Sequence, residues 1–256
     1  MEKERYKIAI CFFGLTRSLK YTLPSIKKNI FDVLKRNNIS YDVYLHTYDL
    51  KGLTNKRSGE INCPLDTEEW KLLKPIAHKI TNQGEFDRSF NWEMLFKHGD
   101  IWKDGYNSIK NAIRQLNSLK EVTHLWKNKP KYDYYIYIRP DLYFVNEIDV
   151  NDIIQHINID NIIVIPYWAN YRGGFNDRIA YGTFNVMQKY GNRINDIAVH
   201  YSKHSPKKPY HSERYLTTII RNYHIFLRYC KLRAIRIRAN GIYEDKDLVM
   251  FKRYLT

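Results

Sequence analysis

Three stretches of this sequence place chemically capable residues directly after apolar runs. Gly14-Leu15-Thr16-Arg17 follows KIAICFF, His46-Thr47-Tyr48-Asp49 closes DVYLHT, and Arg139-Pro140-Asp141 follows YYIYI. Gly14 permits close backbone approach, Thr16 and a following helix start offer hydrogen-bond donors to an anion, and Arg17 adds a bidentate fork for phosphate. A turn glycine beside a surface arginine would read the same way. Tyr48 can stack on a base and Asp49 can accept hydrogen bonds from base or ribose; ordinary turn chemistry also accounts for Asp49. A carboxylate just past a buried strand, as at Asp141, is where Mn²⁺ or Mg²⁺ bridging a diphosphate would be held. The bland alternative is an Arg139–Asp141 pair that closes a strand end.

The elements that must position these residues alternate. Lys7–Phe13 reads as a buried strand, Ser18–Arg36 as a helix with Pro24 in its first turns, and Asp42–Thr47 as a second strand. Gly52–Pro64 reads as a polar loop, followed by a short helix at Asp66–Leu73 and a strand at Ile76–Ile80. A long helix over Asp104–Lys127 carries Ile109, Ala112, Ile113, Leu116 and Leu119 on one stripe. It leads to a strand at Tyr134–Ile138, a helix at Val150–Ile157 and a strand at Asn161–Pro166. A short strand at Arg178–Tyr181, helices at Phe184–Tyr190 and Ser212–Arg221, and a basic β segment at Arg228–Arg238 complete the order. Such alternation predicts an α/β fold with a mostly parallel sheet flanked by helices. It reads as one domain, with no internal repeat and no Pro/Gly/Ser-rich linker.

Composition narrows the classes. In 256 residues, 44% are hydrophobic, which excludes a disordered chain despite a formal charge of +15. Ile8–Phe13 is far too short to cross a bilayer and lacks the flanks of a secretory signal. The three cysteines (Cys11, Cys63, Cys230) form no CxxC pair, which argues against a disulfide framework and for a cytoplasmic setting. The positive charge fits an anionic partner, whether nucleic acid, a sugar nucleotide, an acidic glycan or an anionic membrane face, although A/T-rich codon bias also accounts for part of the lysine excess. Arg236 and Arg238 alternate with Ile235 and Ile237, the pattern of a strand with one solvated basic face. A non-catalytic basic module for nucleic acid or acidic glycan is the alternative to an enzyme. Neither GxGxxG nor GxxxxGK[ST] is present.

Four motifs in order, FFGLTRS, YDYYIYIRPDLYF, GGFNDRIAYGT and HSERYL, resemble those of a family of nucleotide-sugar glycosyltransferases of the GT-A fold, found in large DNA viruses of algae and amoebae and in bacteria. The resemblance spans roughly residues 6 to 222. It implies a UDP-sugar or GDP-sugar donor, a glycan acceptor, and RPD in place of the usual DxD metal motif. Asp141 then corresponds to the metal-binding Asp, while Arg139 stands where the first Asp would be and can itself neutralise a diphosphate. In a virus the setting would be the host cytoplasm. Arg114 and Ser118, on one helix face pointing away from the apolar stripe, would reach the nucleotide; a solvated face is the competing reading. Asp177, in the Gly173-Gly174 turn, would hold sugar hydroxyls or take the acceptor's proton. Glu213, in the first turn of a helix capped by Ser212 after the extended loop 203–210, would be the base of an inverting enzyme. Dipole compensation is the plain explanation for an acid there.

Overall fold

A computed structural model describes residues 6–129, 132–203, 208–244 and 247. Among the described residues eleven strands form, seven of them in one central sheet: β1 (Tyr6–Phe13), β2 (Ile39–Asp49), β3 (Gly52–Asn55), β4 (Glu60–Pro64), β5 (Ala77–Asn82), β6 (Tyr134–Ile138), β7 (Leu142–Phe144), β8 (Ile162–Pro166), β9 (Ile179–Gly182), β10 (Phe226–Cys230) and β11 (Ala234–Arg236). The helices are α1 (Leu19–Ile26), α2 (Asp32–Arg36), α3 (Gln83–Ser89), α4 (Glu93–Phe96), α5 (Asn107–Lys127), α6 (Val150–Ile154), α7 (Phe184–Asn192), α8 (Ile197–Lys203) and α9 (Ser212–Asn222).

The central sheet has 7 strands in the order β10-β8-β9-β6-β1-β2-β5. Pairings β1–β2, β1–β6, β2–β5 and β8–β10 are parallel, and β9 alone runs against its neighbours β6 and β8. The expectation of a mostly parallel α/β sheet is met. Strand β1 shows why it is buried on both faces: Ile8, Ile10 and Phe12 join the core under α1 and α2, while Ala9, Cys11 and Phe13 join the core under α5, α7 and α9. From β1 the chain moves to β2 on one side and later to β6 on the other. The carboxyl end of β1 is therefore the point where a crevice opens in such sheets.

Four local expectations need correction. Residues 52–64 form the hairpin β3–β4 with Glu60 fully buried, not a loop. The first helix runs through Arg36 but widens at Lys27–Phe31, where one extra residue enters the turn. The basic segment after Arg228 is two strands in different sheets: β10 edges the central sheet, and β11 pairs antiparallel with β7. Ser212 is the first residue of α9, not its cap; His211 holds the cap position with no side-chain cap bond. Ser212 Oγ instead donates to Glu213 Oε2 at 2.9 Å. The expected loop 203–210 falls partly outside the described residues.

Candidate active site

A cleft of about 450 Å³ opens at the carboxyl ends of β1, β2 and β6. Its lining gathers Gly14, Arg17, Tyr48, Arg114, Arg139, Asp141, Asp177 and Glu213. Gly14 turns the chain out of β1 at φ +100°, a conformation only glycine adopts without strain. Its N–H donates to Ser118 Oγ at 2.7 Å. The RPD turn is locked from below, where Thr22 Oγ1 donates to Pro140 O at 2.6 Å. Above it, the N–H of Ile237 donates to Asp141 O at 2.9 Å.

Three of the sequence candidates lie elsewhere. Thr16 is buried and shapes the turn, its carbonyl accepting from Leu19 N–H. Asp49 is exposed at the last position of β2, opposite Asn82, and does not line the cleft. Ser118 does not point away from the core. It is fully buried, donating to the His46 carbonyl and meeting His46 Nδ1 at 2.7 Å. Burial lowers the His46 pKa to about 3, so the ring is neutral and serves to brace the Gly14 turn. Two lining residues are engaged in support: Arg114 forks onto Asp87, and the Tyr48 hydroxyl donates to Arg114 O at 2.9 Å.

Around Asp141 the charges alternate in an unbroken chain. Arg139 Nε donates to Asp141 Oδ1 at 2.9 Å and its Nη2 to Oδ2, while Arg17 Nη2 reaches Oδ2 at 3.0 Å. Arg17 also donates to Glu60, which faces Arg238; Arg238 pairs with Glu244, Glu244 with Arg236, Arg236 with Asp247, and Asp247 with Arg178. Arginines stand at both ends, so the chain carries one guanidinium in excess. Burial alone would raise the Asp141 pKa, yet Arg139 and Arg17 outweigh it and hold the carboxyl far below its usual range.

The reading of Arg236 and Arg238 as a solvated basic face is thereby overturned. Both line the cleft, Arg236 at the last position of β11 and Arg238 two residues beyond it.

The opposite wall carries acids of different character. Gly174 touches the start of α9: a Cβ there would stand 2.2 Å from the Glu213 carbonyl carbon, and Phe175 N–H donates to Glu213 O at 3.1 Å. This close approach sets Asp177 near Glu213. Burial first, and Asp177 second, push the Glu213 pKa up to about 7. His211 Nδ1 stands 3.1 Å from Glu213 Oε2 without hydrogen-bond geometry, and burial lowers its pKa to about 4. Trp102 stacks on His211 with ring centroids 5.5 Å apart, and Arg57 lies over the Trp102 ring.

Gln115, absent from the sequence candidates, joins the two walls. Its amide donates to Asp177 Oδ2 at 3.0 Å, and its carbonyl accepts from Arg139 Nη1 at 2.8 Å. A signal existed: position 115 falls on the helix stripe between Ala112 and Leu119, where an apolar residue belongs.

The donor set does not fit a resident metal ion. Asp141 is 2% exposed and both its oxygens already take guanidinium hydrogen bonds. Among the described residues no three His, Cys, Asp or Glu side chains gather to hold a cation.

No protein-family description matches the chain, and comparison with curated proteins returns no match. Solved structures do resemble it. Core-mannan synthase A of Aspergillus fumigatus, in an Mn/GDP form, superposes with a TM-score of 0.51 at 10% identity, covering 91% of this chain and 75% of that one. The apo glycosyltransferase GlyE of Streptococcus pneumoniae gives a TM-score of 0.40 at 10% identity, over 87% of this chain and 45% of that one. The architecture is the α/β sheet of GT-A glycosyltransferases. No helix among the described residues is long and apolar enough to cross a membrane.

Proposed function

We propose that this chain is a glycosyltransferase that moves a sugar from a nucleoside diphosphate sugar to a hydroxyl of a glycan acceptor. One observation carries the reading. A single cleft at the strand ends sets an arginine-lined wall opposite a buried pair of carboxylates, one of them with its pKa raised to about 7. The two walls match the two charges that transfer develops. The leaving diphosphate gains negative charge, which guanidiniums stabilise; the attacking hydroxyl must lose a proton, which a carboxylate titrating near neutrality can accept.

In the proposed step the acceptor oxygen bonds to the anomeric carbon while that carbon's bond to the diphosphate oxygen breaks. The bonding electrons leave with the diphosphate, and the hydroxyl proton passes to Glu213. Asp177, fixed by Gln115, grips the donor sugar. Tyr48 and the Gly14 turn form the nucleoside end of the cleft.

A thermal-shift panel of UDP-, GDP- and CMP-sugars tests the reading, because a ligand of the native state raises the unfolding temperature. GDP-sugars belong beside UDP-sugars because the Aspergillus enzyme was captured with GDP. A UDP- or GDP-sugar should stabilise the protein, and with a glycan acceptor it should yield free nucleoside diphosphate. Stabilisation by no member of the panel would end the proposal.

A further inference from the structure

The positive charge that a departing diphosphate needs is already built into the cleft. Arg17, Arg139, Arg236 and Arg238 all line it, on three separate parts of the chain. Four carboxylates (Asp141, Glu60, Glu244 and Asp247) match these four, and Arg178, which also lines the cleft, leaves the charge chain one guanidinium in excess; each guanidinium presents five N–H donors in a rigid fork suited to phosphate oxygens. Arg238 supplies a second, independent sign. Its side chain is 11% exposed and its Nε is buried with no hydrogen-bond partner. A buried donor left unmet is costly, so a shift of this side chain toward an anion in the cleft would be favoured. Burial, then Arg236 and Arg17, push the Arg238 pKa down, against Glu244, which raises it.

We infer that Arg17, Arg139, Arg236 and Arg238 bind the donor's diphosphate in place of a divalent metal, so that donor binding and leaving-group departure need neither Mn²⁺ nor Mg²⁺. The inference rests on the glycosyltransferase reading above and deepens it. As the bond from the anomeric carbon to the diphosphate breaks, its electron pair stays on the phosphate oxygen. The guanidiniums take up that charge through hydrogen bonds while the acceptor's proton goes to the opposite wall. Asp141 is then a positioning residue: it aims Arg139 and Arg17 rather than holding a cation.

Calorimetric titration of the full chain with UDP, GDP, UMP and GMP, in EDTA and again in Mn²⁺ or Mg²⁺, separates the possibilities. In EDTA a diphosphate should bind within about threefold of its affinity in metal, and about tenfold or more tighter than its monophosphate. Arg238→Gln should erase most of that diphosphate preference while monophosphate binding stays unchanged, and Arg238→Lys should restore part of it. A loss of about tenfold or more in diphosphate affinity on adding EDTA overturns the inference alone. Binding of no nucleotide in either condition overturns the glycosyltransferase reading, and this inference with it. Should Arg238→Gln unfold, Arg17→Lys gives the same comparison with the charge retained; an unchanged diphosphate preference in every folded variant would also overturn it.

Discussion

Asp141 and Glu213 are both carboxylates, both nearly inaccessible to water and both on one cleft, yet their surroundings drive them to opposite states. Two arginines hold Asp141 ionised, whereas burial and a neighbouring acid bring Glu213 to the middle of the physiological range. Burial acts alike on the two; the partners decide. A carboxylate fenced by guanidiniums is a fixed anion that organises cations. One set against another acid and a neutral imidazole can exchange protons. The same side chain thus serves as scaffold on one wall and as reagent on the other.

The sharpest way to break this comparison is at Asp141. Asp141→Ala leaves Arg139 and Arg17 facing each other without their shared anion, and removing one partner of a buried pair costs about 3–5 kcal/mol. Asp141→Asn should fold better but still lose about 10²-fold or more in transfer, the scale of a lost charge-stabilising group. Denaturant unfolding and initial rates check both; an Asp141→Asn protein of full stability and rate would refute a fixed-anion role.

Glu213→Gln should lower kcat by about 10²-fold or more, the usual effect of losing a general base, while donor Kd barely changes. Asp177→Asn should weaken donor binding itself. The reverse pattern would exchange their roles, and retention of anomeric configuration in the product would remove the need for either as base. Next in size, Gly174→Ala forces a methyl into the Glu213 backbone and should cost about 1–3 kcal/mol, read as a lower unfolding temperature.

The smallest effect is a pair of opposed pH slopes. The raised Glu213 pKa adds stability that is complete below the ordinary carboxyl pKa of about 4.3 and is lost as pH rises to about 7. The depressed Asp141 pKa adds stability that is present above about 3.9 and fades as pH falls below it. Glu213→Gln should flatten the first slope and Asp141→Asn the second, each leaving the other intact. Transfer should rise with pH through about 7 in the native protein, as Glu213 gives up its proton.

The scaffold of these two walls was readable in the sequence to different depths. Strands β1 and β6 stood out because doubly buried strands are unbroken apolar runs, and the Gly14 and Asp141 turns that end them read as strand-end chemistry for the same reason. Glu60 was hidden. It sits in a polar stretch that passes for a loop, and its burial is caused by Arg17 and Arg238, 43 and 178 positions away. Arg236 and Arg238 show a limit of alternation. A period of two sorts residues onto two faces but does not say which is wet, and the small ribbon of β7 and β11 turns the charged one inward. Ser118 shows the same limit on a helix, because its place beside His46 depends on β2 lying beneath it.

The segment carrying Arg236 and Arg238 also has a consequence for how the protein is made. Ser18 bonds to Ile237, 219 residues on, and Ala239 to Glu60, 179 residues back. At about 5–20 residues per second, a ribosome needs on the order of ten seconds or more between delivering Arg17 and Asp247. Through that interval the central strands can pair and the helices can dock, while half of the guanidinium wall is still untranslated. A nascent chain therefore holds a nearly finished sheet with an unfinished cleft. Competence arrives in one late event, when residues 234–244 and Asp247 take their places at the cleft, and contacts that span such separations are slow to close.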